Sequence, residues 1–289
     1  MRIGAFDITD PPPALREPHA IAMLRPWVDV GSVGSLALTA VESHLRARDL
    51  GKLHRPGTFF DFTRYRPTLT HHEGQRAITV PNSYLYYAVR ETPPDFIFLH
   101  LLEPHALGED YAESVLEVLK HFQVKRYTLL GGMYDAVPHT RPLLVTGSVQ
   151  GKAASTLKLE RSTYEGPTTI TYLIGQMGAQ MGMETASMIV HLPQYAQLEE
   201  DYSGAARILE TLRGIYGLQG TLADPKRGED QYREVSLAVA SNPRLRPVIA
   251  QMEADYDARA ARMGQESSPG LSPEVENFLR EMGDKLGES

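Results

Sequence analysis

Cysteine is absent from the 289-residue chain. That excludes disulfides, thiol catalysis and cysteine-ligated metals. A basic surplus is missing too: 29 Lys and Arg stand against 36 Asp and Glu, a formal net charge of −7. No basic run with interleaved aromatics offsets this locally, so a nucleic-acid partner has no electrostatic support. Apolar stretches long enough to span a bilayer are lacking. The run Met1-Arg2-Ile3-Gly4-Ala5-Phe6-Asp7 has neither a basic leader nor an uninterrupted apolar segment. These absences predict a cytoplasmic protein with no membrane and no nucleic-acid partner. Phosphate chemistry lacks its usual marks as well: there is no Gly-rich loop with a Lys, no carboxylate pair placed for magnesium and no Gly-x-Ser-x-Gly elbow. His71, His72, His100 and His105 are too scattered for a ligand set, and adjacent residues point to opposite faces of a strand. Neither a metal nor a cofactor is expected.

What is present is an alternation of strands and helices. Hydrophobic residues make up 42% of the chain, ordinary for a protein with a substantial core. Residues 19–24 read as a first strand. Trp27-Val28-Asp29-Val30-Gly31-Ser32-Val33-Gly34 then opens a helical pattern over residues 35–50, with Leu38, Val41 and Leu45 at helical spacing. Gly31-x-x-Gly34 is a fragment of a dinucleotide or phosphate fingerprint, and tight strand-to-helix packing explains it as well. Residues 59–62, 77–80 and 84–89 are strand-like. Residues 95–102 form a near-continuous apolar run, the mark of a strand buried on both faces. Residues 110–122 carry an amphipathic helix, 127–130 and 143–149 strands, 168–181 a buried helix and 185–192 another strand. This order predicts right-handed βαβ units and a largely parallel sheet.

Beyond residue 200 the pattern turns helical, over 205–216, 231–240 and 245–263. A Ser/Pro/Gly linker at 265–270 precedes a further helix at 273–286, with Val275, Phe278, Leu279, Met282 and Leu286 on one stripe. Such a stripe must bury itself, on its own subunit or on a partner protein. The chain thus divides into an α/β core over 1–200, a helical part packed on it over 201–263, and a linker with an amphipathic helix over 264–289.

Around residues 129–142 the chain gathers unusual groups. Gly131 and Gly132 break an apolar run, and Pro138 and Pro142 bracket His139, Thr140 and Arg141. Paired glycines permit positive φ or close approach, and the prolines stiffen the loop between them. Bracing of the next strand is the plain alternative. Asp29, Glu103, His139 and Arg141 each come after an apolar strand, and ligands in open α/β sheets bind at strand carboxyl ends. With Arg66 and Thr140 they form a candidate crevice suited to a phosphate or carboxylate ligand. The structural alternative is a buried ion pair of Asp29 with Arg66 or Arg141.

Trp27-x-Asp29-x-Gly31-x-x-Gly34, Arg66-Pro67, Glu103-Pro104, Gly131-Gly132, Pro138-His139-Thr140-Arg141-Pro142, Tyr164-x-Gly166-Pro167 and Leu192-Pro193-x-Tyr195, taken in order, resemble one family. It is the bacterial branch of the second proteasome-assembly-chaperone family, and the resemblance runs from about residue 19 to about 260. It implies a three-layer α/β/α fold with a mostly parallel central sheet, similar to nucleoside phosphorylases and hydrolases, plus a C-terminal helical extension. It also implies self-assembly, often as a trimer. Archaeal relatives dock proteasome rings through a hydrophobic-Tyr-any tail, which the ending Leu286-Gly287-Glu288-Ser289 does not match.

Two functional readings result. The preferred one is a non-enzymatic homo-oligomeric assembly or chaperone-like protein, with a protein partner bound through the terminal helix. The alternative is a small-molecule binder or phosphorylase/hydrolase-like enzyme, with Arg66 or Arg141 holding an anion while His139 or Glu103 handles a proton or ribose hydroxyl. Fold analogy alone is a weak warrant for activity.

Overall fold

The structure, a computed structural model, describes residues 1–72, 75–149, 159–160, 162 and 164–266. The terminal helix expected at 273–286, the linker beyond 266 and most of 151–163 lie outside these residues. In chain order the strands are β1 (Arg2–Ile3), β2 (Phe6–Ile8), β3 (His19–Arg25), β4 (Arg48–Leu53), β5 (Thr68–His72), β6 (Gln75–Thr79), β7 (Tyr84–Ala88), β8 (Phe96–Leu102), β9 (Arg126–Asp135), β10 (Val145–Val149) and β11 (Glu184–Pro193). The helices are α1 (Val33–Leu45), α2 (Gly108–His121), α3 (Ile170–Gln180), α4 (Tyr202–Tyr216), α5 (Pro225–Ser241) and α6 (Leu245–Glu266).

Nine strands form one sheet in the order β1-β2-β4-β7-β8-β3-β9-β11-β10, and β5 pairs with β6 in a separate hairpin. The four central strands β8, β3, β9 and β11 run parallel. Every flanking pair is antiparallel. The sheet is therefore mixed rather than largely parallel. The reason lies in the connections: β7 turns back into β8 through a short loop, which only an antiparallel pair permits, whereas parallel neighbours need a crossover.

Side-chain alternation splits the core between the two faces. Ala20, Ala22, Leu24, Ile97, Leu99 and Leu101 pack with Tyr111 and Val115 of α2 and Ile174 of α3. Ile21, Met23, Phe96 and Phe98 pack with Val33, Leu38 and Val41 of α1 and with Ile208 and Leu212 of α4. Each large apolar side chain so buried contributes about 1.5–3 kcal/mol. The apolar runs read from the sequence at β3, β8, β9 and β11 are the strands that must be covered twice.

Three elements differ from expectation. Helix α1 stops at Leu45 because Arg46 takes a left-handed conformation, φ 52, and the chain returns as edge-side strand β4. Residues 59–62 form no strand: a 3-10 turn at Pro56–Thr58 precedes them, and Phe59 and Phe60 pack their rings against Tyr111. The Gly pair does not end β9, which runs through it to Asp135. Side-chain caps start the later helices: Thr169 accepts from the Tyr172 amide, Asp201 from Gly204 and Asp224 from Lys226.

Candidate functional site

Between β3 and α1 the chain makes a turn that caps itself. Asp29 Oδ1 accepts from the amides of Gly34 at 2.8 Å and Ser35 at 3.1 Å, and Oδ2 accepts from Ser35 Oγ at 2.6 Å. Burial pushes the Asp29 carboxyl up, and the bonds from Ser35 and Gly34 pull it back. Gly31 stands at φ 59, a left-handed position that favours glycine. A Cβ at Gly34 would meet Asp29 Oδ1 at 3.0 Å, so this glycine lets the carboxylate close on the helix start. The amides that would cradle a phosphate in a nucleotide fold are thus taken by the chain's own carboxylate. The glycine spacing serves packing.

The loop 138–142 is carried away from this turn because β9 continues past the Gly pair. His139 is buried. Its amide donates to Tyr195 Oη at 2.7 Å, and the Tyr195 hydroxyl donates in turn to Nδ1 at 2.6 Å. Nε2 donates to Ser236 Oγ of α5 at 2.9 Å, and that hydroxyl donates to the Tyr232 carbonyl. Every donor has an acceptor with the imidazole neutral, in keeping with burial pushing its pKa down. Thr140 Oγ1 donates to Glu253 of α6, and Arg141 forms a two-pronged pair with Asp257 at 2.9 and 2.8 Å. His139, Thr140 and Arg141 therefore tie α5 and α6 to the loop that follows β9. The bracing reading fits this geometry, although helices rather than a strand are braced.

Glu103 stands elsewhere, in an open cleft of about 770 Å³ beyond the carboxyl ends of β3 and β8. Loops after β4 and β8 are stitched together there. His105 and Ala106 donate their amides to the Phe59 carbonyl, Asp61 donates its amide to His105 Nδ1 at 3.1 Å, and Tyr65 Oη donates to the Glu103 carbonyl at 3.1 Å. Tyr65 and His105 lie ring to ring, centroids 4.5 Å apart. Trp27 stands at the rim, 57% exposed. Burial pushes the pKa of the Glu103 carboxyl up, and the backbone amide of Ile170 at the start of α3 pulls it partly back. Glu103 Oε2 is shielded from solvent and has no hydrogen-bond partner among the described residues.

The six candidate crevice residues thus occupy separate places. Asp29 caps α1, Glu103 lines the cleft, and His139, Thr140 and Arg141 face α5 and α6. Arg66 is exposed on the approach to β5. Asp29 bonds to amides and a hydroxyl, and Arg141 to Asp257 and Glu253, in place of the Asp29–Arg66 or Asp29–Arg141 pair. Of the remaining motif residues, Pro193 ends β11 opposite Asp135, and the Tyr164 hydroxyl donates to the Pro167 carbonyl across Gly166. Among the described residues no three metal-ligating side chains come together, and no helix is long and apolar enough to cross a membrane.

One constellation escaped the sequence. Asp135 Oδ2 bonds His191 Nδ1 at 2.7 Å, and His191 Nε2 bonds Thr146 Oγ1 at 2.9 Å, across β9, β11 and β10. The distances are those of an acid–imidazole–hydroxyl relay. Here the hydroxyl is the buried end and the carboxylate the exposed one. A nucleophile needs the reverse, so the chain acts as a polar clamp across three strands. Its residues are spread over some tens of positions, and only strand register unites them.

The model of the PAC2 family matches residues 23–229. No curated relative matches the chain. Among solved structures, a Mycobacterium tuberculosis protein of unknown function is similar at 24% identity and TM-score 0.77, covering 91% of this chain and 92% of its own. The proteasome-assembly chaperone homologue of the same organism is 20% identical with TM-score 0.71, covering 81% and 98%. A PAC2 family protein of Streptomyces avermitilis is 23% identical with TM-score 0.70, covering 81% and 99%. Likeness at such identity speaks to the fold.

Proposed function

The chain belongs to the PAC2 family, and on that premise we propose that it is a chaperone-like protein working by contact with other proteins, copies of itself included. Likeness to a proteasome-assembly chaperone homologue supports an assembly role. The helices on both faces of the sheet support the three-layer, phosphorylase-like arrangement as part of the same reading. A non-enzymatic role accords with a relay whose hydroxyl is buried and with an α1 start that has no free amides to offer.

The observation that carries self-association is the β5–β6 hairpin. Leu69 and Ile78 face each other across it, 54% and 69% exposed. A two-stranded hairpin is marginal alone in water. Among the described residues neither edge of this one pairs with another strand, and open edges invite pairing. A neighbouring copy covering Leu69 and Ile78 would remove both liabilities, and a closed ring of three is the assembly favoured. The segment 264–289, with its apolar stripe, is the candidate grip on a different protein.

Native mass spectrometry of the protein drawn gently from its own cells tests this. A homo-oligomer, three subunits foremost, carrying a second protein at fixed stoichiometry is the expected spectrum. Leu69→Lys combined with Ile78→Lys should reduce it to single subunits. An oligomer indifferent to that double change removes the hairpin from the interface. A wild-type monomer overturns self-association, and nucleoside turnover at enzymatic rates overturns the non-enzymatic reading.

A further inference from the structure

We propose that the cleft among Trp27, Tyr65 and Glu103 binds a cationic alkyl group, an ammonium or guanidinium, with Glu103 as its counter-charge. Its volume of about 770 Å³ suits a small ligand or an inserted side chain. Its walls are aromatic: Trp27, Phe59, Tyr65 and His105 line it. Ring faces attract cations at exposed sites as well as at buried ones.

The charges point the same way. Asp61 Oδ1 accepts both the amide and the hydroxyl of Thr63, and Arg64 reaches toward Asp61 Oδ2 at 4.0 Å. These two lining charges answer each other and leave Glu103. The Ile170 amide lowers the Glu103 pKa only in part, and Oε2 has no hydrogen-bond partner among the described residues. An unpaired buried oxygen is costly, more so on a charged group. Oε2 itself is closed to solvent, so a ligand in the open cleft answers the carboxylate by charge, which a cation supplies and a neutral hydroxyl does not. An anion would meet the wrong sign, since Arg64, the arginine lining the cleft, is turned to Asp61, and Arg66 and Arg141 are not among the lining residues.

The same cation could arrive as a free small amine or guanidine, or as an Arg or Lys side chain of another protein. Trp27 is the only tryptophan in the chain and stands at the rim, so its fluorescence reports the cleft directly. At constant ionic strength the intact protein is titrated with n-butylguanidinium and, separately, with its neutral isostere N-butylurea. A saturable change with the first, and binding of the second weaker by about tenfold or more, is expected. Glu103→Gln keeps the shape of the side chain and removes the charge; it should weaken butylguanidinium by about tenfold. Acetyl-Gly-Arg-Gly-amide binding more tightly than butylguanidinium would name a protein side chain as the occupant, and weaker or equal binding a free small cation. No saturable change with either cation, or equal affinity for N-butylurea, overturns the proposal, and that comparison needs no variant to fold. Loss of the hairpin's role in assembly would leave it untouched.

Discussion

A methyl group at position 132 would lie 2.4 Å from Val33 Cγ2, and one at 131 would lie 2.6 Å from the Val28 carbonyl. Neither distance is tolerated between packed atoms, so the glycines admit the Asp29 turn against β9. Gly132→Ala should cost about 1–3 kcal/mol, read as a lowered midpoint in chemical denaturation with unchanged slope. His19 offers a second residue-scale test. Burial lowers its pKa from 6.5 to about 4, with Arg126 adding to the effect. Below about 6.5 the unfolded chain accepts a proton that the folded chain refuses until about 4, so stability falls as pH drops through that window. The loss is at most about 1.4 kcal/mol per pH unit. Asp29, Glu103 and Asp201, raised by burial, titrate with the opposite sign. Denaturation of His19→Phe beside the parent at pH 7 and pH 5 cancels them; the parent should lose stability relative to the variant on acidification. At this scale the sequence showed which residue types were unusual and hid their partners. Asp29 and Gly34 find each other within one turn, whereas His139 meets Tyr195 and Ser236 only after three elements have packed.

Helices α5 and α6 are tied to the loop after β9 through few side chains, and those contacts should not weigh equally. Tyr195→Phe strips the buried His139 of two bonds and should cost about 1–3 kcal/mol. Arg141→Ala breaks a half-exposed pair with Asp257 and should lower the global denaturation midpoint less than Tyr195→Phe does. Amide exchange checks the ranking: Tyr195→Phe should loosen α5 and α6 together, Arg141→Ala the α6 contact alone. The reverse order would mean that the surface pair governs docking. Elements with strong apolar patterning were legible: β3, β8, β11, α2 and α4 lie where periodicity puts them. Strand β4 was not, since only Leu50 and Leu53 of Arg-Asp-Leu-Gly-Lys-Leu are buried, too few to outvote the helix before it. Phe59 and Phe60 misled for the opposite reason. Their burial comes from the Tyr111 ring, which periodicity does not register.

The whole molecule is centred on a strand that cannot pair locally. β3 lies between β8 and β9, both of which come after it by a long stretch of chain. No sequence pattern announces such an order; apolar runs give each strand its place in a core but not its neighbour. The cleft shares that origin, since its walls come from loops after β3, β4 and β8 that only the strand order brings together. The same order has a consequence for synthesis. Ile21, Met23 and Leu24 leave the ribosome well before Phe96 to Leu102, an interval of roughly 4–15 s at about 5–20 residues per second. During that interval a strand that is apolar from Ala20 to Leu24 has an open edge on either side, and non-local pairing of this kind is slow to form. Until β8 and β9 emerge, β3 is an unpaired apolar segment of the kind that is prone to aggregate.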